Sequence, residues 1–167
     1  ILSQEHRLLP KVGANEQRGW LKVIVDVNGK FVSFWSTHLA FGSDDTERLM
    51  CATNFNTWLE AETLPVICCG DFNTTPGNAA YNLMAARWND SWKTVGRGTG
   101  PTVPVPVATR RIDYIWTAKG APLQPASASV PYTLASDHFP VMTQFVLTNA
   151  TNHATGFFFP FDEAQGA

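Results

Sequence analysis

Residues 65–77 read "PVICCGDFNTTPG", and the way this stretch stops decides the fold. Val66, Ile67, Cys68 and Cys69 form a continuous run of β-branched and small apolar residues, the composition of a strand buried on both faces. The run ends at Gly70 and gives way to Asp71, Phe72 and Asn73. Asp71 and Asn73 are two apart, so in an extended segment they point the same way off the strand's end. Such a pair has two readings. Asp and Asn after a strand make Asx-turns, and Pro76-Gly77 supports a turn here. A carboxylate beside a carboxamide at the mouth of a sheet is also a reactive pair. The remainder of the chain has to separate the two.

Upstream, Leu21, Val23, Val25 and Val27 alternate with Trp20, Lys22, Ile24 and Asp26, then Asn28-Gly29 precedes a second run from Lys30 to Trp35. Asn-Gly between two such runs predicts a hairpin, because both residues tolerate positive φ. Its second strand ends in Thr37-His38-Leu39. Ser43-Asp44-Asp45 offers an N-cap and acidic first-turn residues, with Glu47 placed to reach back. Cys51, Ala52, Phe55, Trp58 and Leu59 then recur at three and four residues and make one apolar helical face. Hairpin, helix and strand in that order imply an α/β layering.

Downstream, a short helix is expected at about 79–86. Residues 96–109, "GRGTGPTVPVPVAT", are rich in Gly and Pro and predict a long surface loop, which in compact domains tends to be functional. Strands are expected over 110–117, 127–132 and 141–147. The polar stretch 148–156 reads as a linker, and the abruptly aromatic 157–167 as the start of a further domain.

At 167 residues, with 44% hydrophobic and 12% aromatic content, the chain suits a globular domain with a sizeable core. A net charge of −2 supplies no basic field, so recognition of a phosphate must be local. No apolar run reaches membrane-spanning length. Three cysteines, Cys51, Cys68 and Cys69, do not make a disulfide framework and read as buried, inert thiols.

Four polar clusters fall at strand ends: Thr37-His38, Asp71-x-Asn73, Arg111-Ile112-Asp113 and Ser136-Asp137-His138. Each alone could be a satisfied surface group or a turn. Together, histidines, carboxylates and an amide are the parts for metal-assisted hydrolysis of a phosphate ester. Hard carboxylate oxygens hold Mg²⁺, a carboxylate orients water, His serves the leaving oxygen, and an amide N–H meets the charged transition state. A dinuclear metallophosphatase is excluded: it needs a Gly-Asn-His element and further histidines, and the chain has only His6, His38, His138 and His153.

"STHL", "GDFN", "RIDYI" and "SDHFPV", in this order, resemble the endonuclease/exonuclease/phosphatase superfamily over about residues 1–147. The resemblance implies an α/β β-sandwich of two packed sheets with helices outside and an active site at the strand ends. It implies that Asp71 orients or activates the attacking water and that Asn73 contacts the phosphoryl oxygens. His138, held by Asp113, would contact the phosphate, Asp137 would be a metal-site carboxylate, and His38 would lie near the leaving group. The implied cofactor is Mg²⁺ or Mn²⁺. The implied substrate is a phosphoester on nucleic acid, or a phospholipid or inositol phosphate headgroup.

Departures from the family pattern carry their own expectations. The family's opening strands, with a phosphate-contacting Asn and a Gln-Glu whose Glu is the chief Mg²⁺ ligand, have no match here. Gln4-Glu5 lies too close to His38, and "ILS" fits a later family segment. The chain therefore reads as a domain lacking its first third, and as it stands it should bind Mg²⁺ weakly. The alternative to an enzyme is a catalytically incompetent fragment or binding module that keeps the fold. The tail "GFFFPFDEAQGA" resembles the opening strand of a laminin-G-like domain, which implies a secreted, multidomain parent.

Overall fold

The computed structural model describes residues 1–148 and the backbone of Ala154–Phe157. In chain order the elements are β1 (Ser3–Leu8), β2 (Gly19–Val27), β3 (Lys30–His38), α1 (Thr46–Glu60), β4 (Val66–Asp71), α2 (Ala79–Arg87), β5 (Trp88–Asp90), α3 (Ser91–Val95), β6 (Asp113–Ala118), β7 (Leu123–Ser129), β8 (Met142–Thr148) and β9 (Ala154–Phe157). They build a mixed α/β fold. A six-stranded sheet of order β1-β2-β3-β4-β6-β5 faces helices on one side and a smaller β7-β8-β9 sheet on the other.

The β2–β3 hairpin turns at Asn28 and Gly29, both at positive φ (53° and 82°). From that turn the register runs Val27↔Lys30 to Trp20↔Thr37. β3 and β4 are parallel, which requires the α1 crossover between them. Helix α1 buries Cys51, Ala52 and Phe55 against the sheet, where they meet Trp20, Trp35, Cys68, Phe72 and Trp116. On the opposite face Val32 and Ile67 pack against Leu123, Phe145 and Leu147 of the small sheet. Each of these large apolar side chains contributes about 1.5–3 kcal/mol on burial. β4, buried on both faces, is the hub, as its unbroken apolar run requires.

Several elements differ from the sequence expectation. The start of α1 is joined by Asp44, whose carboxylate accepts from the Thr46 N–H (2.9 Å). Glu47 does not reach back; it is buried and accepts from the Val12 N–H and Asn15 Nδ2, both at 2.9 Å, so it anchors the 9–18 loop instead. The strand expected from 110 starts at Asp113, because Arg111 is drawn inward to Asp90 (2.7 Å) and over the Tyr114 ring. The strand expected at 127–132 runs Leu123–Ser129, set by Leu123 entering the core. Within 96–109, Thr102 and Val103 are buried and Val103 bridges to Arg110, so the inner part of the loop is tucked in. Part of the stretch read as a linker pairs as β9 with β8. Residues 149–153 and 158–167, where the rest of the linker and the further domain were expected, lie outside the described residues.

Candidate functional site

Register alone assembles the first three groups. His38 aligns with Asp71 across β3 and β4, and Asp71 aligns with Asp113 across β4 and β6, so the three stand in a row on one rim of the sheet. Phe72 orients its neighbours. Its ring is fully buried, edge-on to Tyr114 (5.8 Å) and Trp116 (6.0 Å), and its N–H bonds the Ile112 carbonyl at 2.9 Å. With Phe72 inside, Asp71 and Asn73 turn to the rim. Gly70 lets β4 come this close to β3: it sits at φ +147°, and a Cβ there would lie 1.8 Å from the Thr37 carbonyl oxygen.

The Asx-turn is present. Asp71 Oδ1 accepts from the Asn73 N–H at 2.7 Å, and Asn73 takes the left-handed φ of 47° that Asn tolerates. The turn fixes one carboxylate oxygen and leaves the other, Oδ2, 3.4 Å from His38 Nε2. Asn73 Nδ2 donates to the Leu39 carbonyl (2.9 Å) and lies 3.2 Å from the same His38 nitrogen. Turn and site are thus one structure.

His138 arrives from the β7–β8 loop, its Nδ1 2.8 Å from Asp113 Oδ2. Two backbone bonds, Val105 N–H to Asp137 O (3.0 Å) and Phe139 N–H to Thr102 O (2.7 Å), fasten this loop to the 96–109 loop. Asp71, Asp113 and His138 each offer a ligand atom, and these atoms lie within 4.8 Å of one another. Asp137 is not in this group. Its side chain is exposed with Ser136 Oγ as a 3.3 Å neighbour, because the turn that points His138 inward leaves the residue before it facing solvent. Glu5 is also remote, paired with Arg7 (2.6 Å) on β1, three strands from the Cys68 level of β4, or about 14 Å.

Burial pushes the Asp71 carboxyl above its ordinary range. The Asn73 N–H opposes this, Asp113 adds to it, and His38 and His138 reduce it. Two carboxylates directly opposite on neighbouring strands repel, and the nearest arginine in sequence, Arg111, is committed to Asp90. A divalent cation would relieve that repulsion, and two carboxylates with water completing the shell suit Mg²⁺. The donor set fits such an ion. The cluster lies in the wall of a cavity of about 940 Å³ between the two sheets, lined elsewhere by apolar groups such as Phe34, Ile115 and Phe145. Cys69 lines it too, its thiol pushed up to about 11 by burial against a hydrogen bond with Ser36, so it stays protonated.

One contact had no motif to announce it. Arg18 Nη1 lies 3.3 Å from His38 Nδ1. Continuing the hairpin register past Trp20 and Thr37 would put Gly19 opposite His38 and Arg18 opposite Leu39, so register alone does not announce the contact.

With this geometry in view, residues 8–138 match the model of the Endonuclease/Exonuclease/phosphatase family. The chain belongs to this family. Its members are hydrolases acting on phosphoesters. Solved structures share the fold. A mannosyl-6-phosphatase of Bacteroides thetaiotaomicron aligns at 19% identity over 87% of this chain and 66% of its own, with a TM-score of 0.74. The human Nocturnin catalytic domain, solved with a bound sulfate anion, aligns at 22% over 87% and 59%, TM-score 0.68. An endonuclease/exonuclease/phosphatase from Beutenbergia cavernae aligns at 25% over 90% and 46%, TM-score 0.70. The chain spans 66% or less of the length of these three structures. No curated protein is a significant match.

Proposed function

We propose that the protein is a divalent-metal-dependent phosphoester hydrolase in which water attacks phosphorus at the rim formed by β3, β4 and β6. The observation that carries this reading is the convergence of Asp71, Asp113 and His138 ligand atoms within 4.8 Å. Mg²⁺ or Mn²⁺ held by Asp71 and Asp113 would supply Lewis-acid stabilisation of the phosphoryl oxygens. Asp71 Oδ2, left open by the turn, accepts a proton from the attacking water. Its burial-raised affinity for a proton makes it a better base than an exposed carboxylate. Asp113 holds His138 by Nδ1, so Nε2 faces outward to the phosphate. Asn73 offers an amide N–H to a phosphoryl oxygen, and His38 stands on the far side of Asp71, where the leaving oxygen departs. Asp137, exposed at the loop, would reach a metal only through water.

Substrates in reach are phosphoesters on nucleic acid or on a lipid or inositol phosphate headgroup; a sugar phosphate joins them through the mannosyl-6-phosphatase named above. A second reading is a binding module that keeps the fold without turnover. It is favoured by the small donor set, for among the described residues only two carboxylates join the cluster. A parent outside the cell remains part of the proposal.

The deciding assay follows hydrolysis of a phosphodiester and a phosphomonoester with added Mg²⁺ or Mn²⁺, using Asp71→Asn as blank. Metal-dependent turnover that disappears in the blank is expected. Turnover indifferent to Asp71 would sink the site assignment, and none at any metal concentration would leave the binding module.

A further inference from the structure

The 9–18 loop between β1 and β2 holds Arg18 in a built frame. Its carbonyl accepts from the Leu9 N–H (2.9 Å), Gln17 Nε2 bonds the Leu9 carbonyl (2.8 Å), and buried Glu47 grips Val12 and Asn15. From this frame Arg18 extends Nη2 to Glu16 (2.9 Å) and Nη1 to His38 Nδ1 (3.3 Å). A guanidinium has only donors and does not give up its proton. The His38 nitrogen it meets must therefore be the bare one, and a neutral imidazole has one bare nitrogen.

On the other side, His38 Nε2 meets two groups that ask opposite things of it. Asp71 Oδ2, at 3.4 Å, needs an N–H; Asn73 Nδ2, at 3.2 Å, needs a bare nitrogen. Asn73 cannot turn its amide over, because Nδ2 is held by the Leu39 carbonyl. Hydrogen bonds with an ionised partner are roughly twice as strong as neutral ones. Arg18 and Asp71 thus outweigh Asn73. We propose that Arg18 is a positioning residue that locks His38 in its Nε2–H tautomer, so that His38 and Asn73 both present an N–H to an incoming phosphoryl or leaving oxygen. The purpose rests on the phosphoester-hydrolase reading; the tautomer itself does not.

The test is a long-range ¹H–¹⁵N correlation of the histidine rings, recorded at an alkaline pH where the ring ¹⁵N shifts themselves show His38 to be neutral. His38→Gln assigns the signal. The wild-type chain should show the Nε2–H pattern, and Arg18→Lys, which still offers only donors, should keep it. Arg18→Met removes one of the two groups that ask for Nε2–H and leaves Asp71 alone against Asn73, so the Nδ1–H population should rise above that of the wild type. In the hydrolysis assay Arg18→Met should lower kcat by about 10- to 100-fold, with KM changed far less and with Arg18→Lys restoring most of the rate. An Nδ1–H wild type, or an Arg18→Met that folds with the wild-type tautomer ratio unchanged, would overturn the proposal. If Arg18→Met does not fold, Arg18→Gln, whose amide oxygen can accept from Nδ1–H, is read in the same way. Absence of turnover in the wild-type chain would overturn the hydrolase reading alone, since the spectra need no substrate.

Discussion

The two ends of the six-stranded sheet each carry a partly buried carboxylate, and the sheet treats them oppositely. At one end Glu62 is 7% exposed and meets the Lys22 ammonium and the Ser33 hydroxyl. Burial works against its charge, but Lys22, Ser33 and the Leu64 N–H outweigh it, and its carboxyl is held below the usual range. At the other end Asp71 is 16% exposed, faces Asp113, and is pushed above that range by burial despite the Asn73 N–H and the two histidines. One end is neutralised by the chain itself. The other leaves two carboxylates facing each other, as the proposed cation site would require. The contrast separates structural carboxylates from those arranged for a ligand.

The same neutralising change at each end should give opposite results. Asp71→Asn should lower hydrolysis by about three orders of magnitude or more, as loss of a central charged group in a metal-assisted site does. Glu62→Gln should leave kcat within a factor of about two. Steady-state rates on one phosphodiester measure both. Equal losses would erase the distinction between the ends.

Next in size is the backbone that joins Asp71 to β3. Gly70→Ala places a methyl 1.8 Å from the Thr37 oxygen, and backbone cannot yield as a side-chain tip does. A loss of at least about 3 kcal/mol is expected, read by calorimetry. An unchanged Tm would mean that the β3–β4 approach is looser than it stands here.

Smaller effects sharpen the comparison through pH. Glu62→Gln should cost about 1–2 kcal/mol at neutral pH, a figure kept low because Lys22 retains access to water. A depressed folded-state pKa stabilises above the unfolded value and is lost as pH falls through the folded one. The deficit of Glu62→Gln should therefore shrink below about pH 4. Asp71 has the opposite sign: its raised folded-state pKa favours the fold at low pH, and that advantage is lost as pH rises. Asp71→Asn keeps the acceptor for the Asn73 N–H, so it should gain on the order of 1 kcal/mol at pH 7 and nothing below about pH 4. Thermal unfolding of both variants at pH 7 and pH 3.5 checks the two signs.

Much of this was legible beforehand, for identifiable reasons. The Asn28-Gly29 hairpin, the α1 face and the β4 run are set by local periodicity, and Thr37-His38 and Asp71-x-Asn73 lie where β3 and β4 end, whereas Ser136-Asp137-His138, expected at a strand end, lies within the β7–β8 loop. What escaped depends on distant partners. β1 reads "SQEHRL", with no apolar alternation, and is a strand because it pairs along β2. Glu47 looks like a cap and is instead taken by Val12 and Asn15, 35 and 32 residues away in sequence. Asp137 and His138 are adjacent in one motif, and only the loop's conformation decides which faces Asp113. Arg18 sits in no motif at all.

The aromatic packing has an optical consequence. Trp58, Trp20, Trp35 and Trp88 form a chain with ring centroids 4.9, 5.0 and 5.6 Å apart, all on the helix side of the large sheet. Trp116 lies in the same layer, and Trp92 bonds the Gly98 carbonyl. Rings this close pass excitation among themselves, so their emission behaves as one depolarised source. All six tryptophans precede residue 117, and none belongs to β7 or β8. Five of the six therefore report on one layer of the sandwich, and Trp92, on the α3 helix that lies against β7, is the one placed to report on the small sheet.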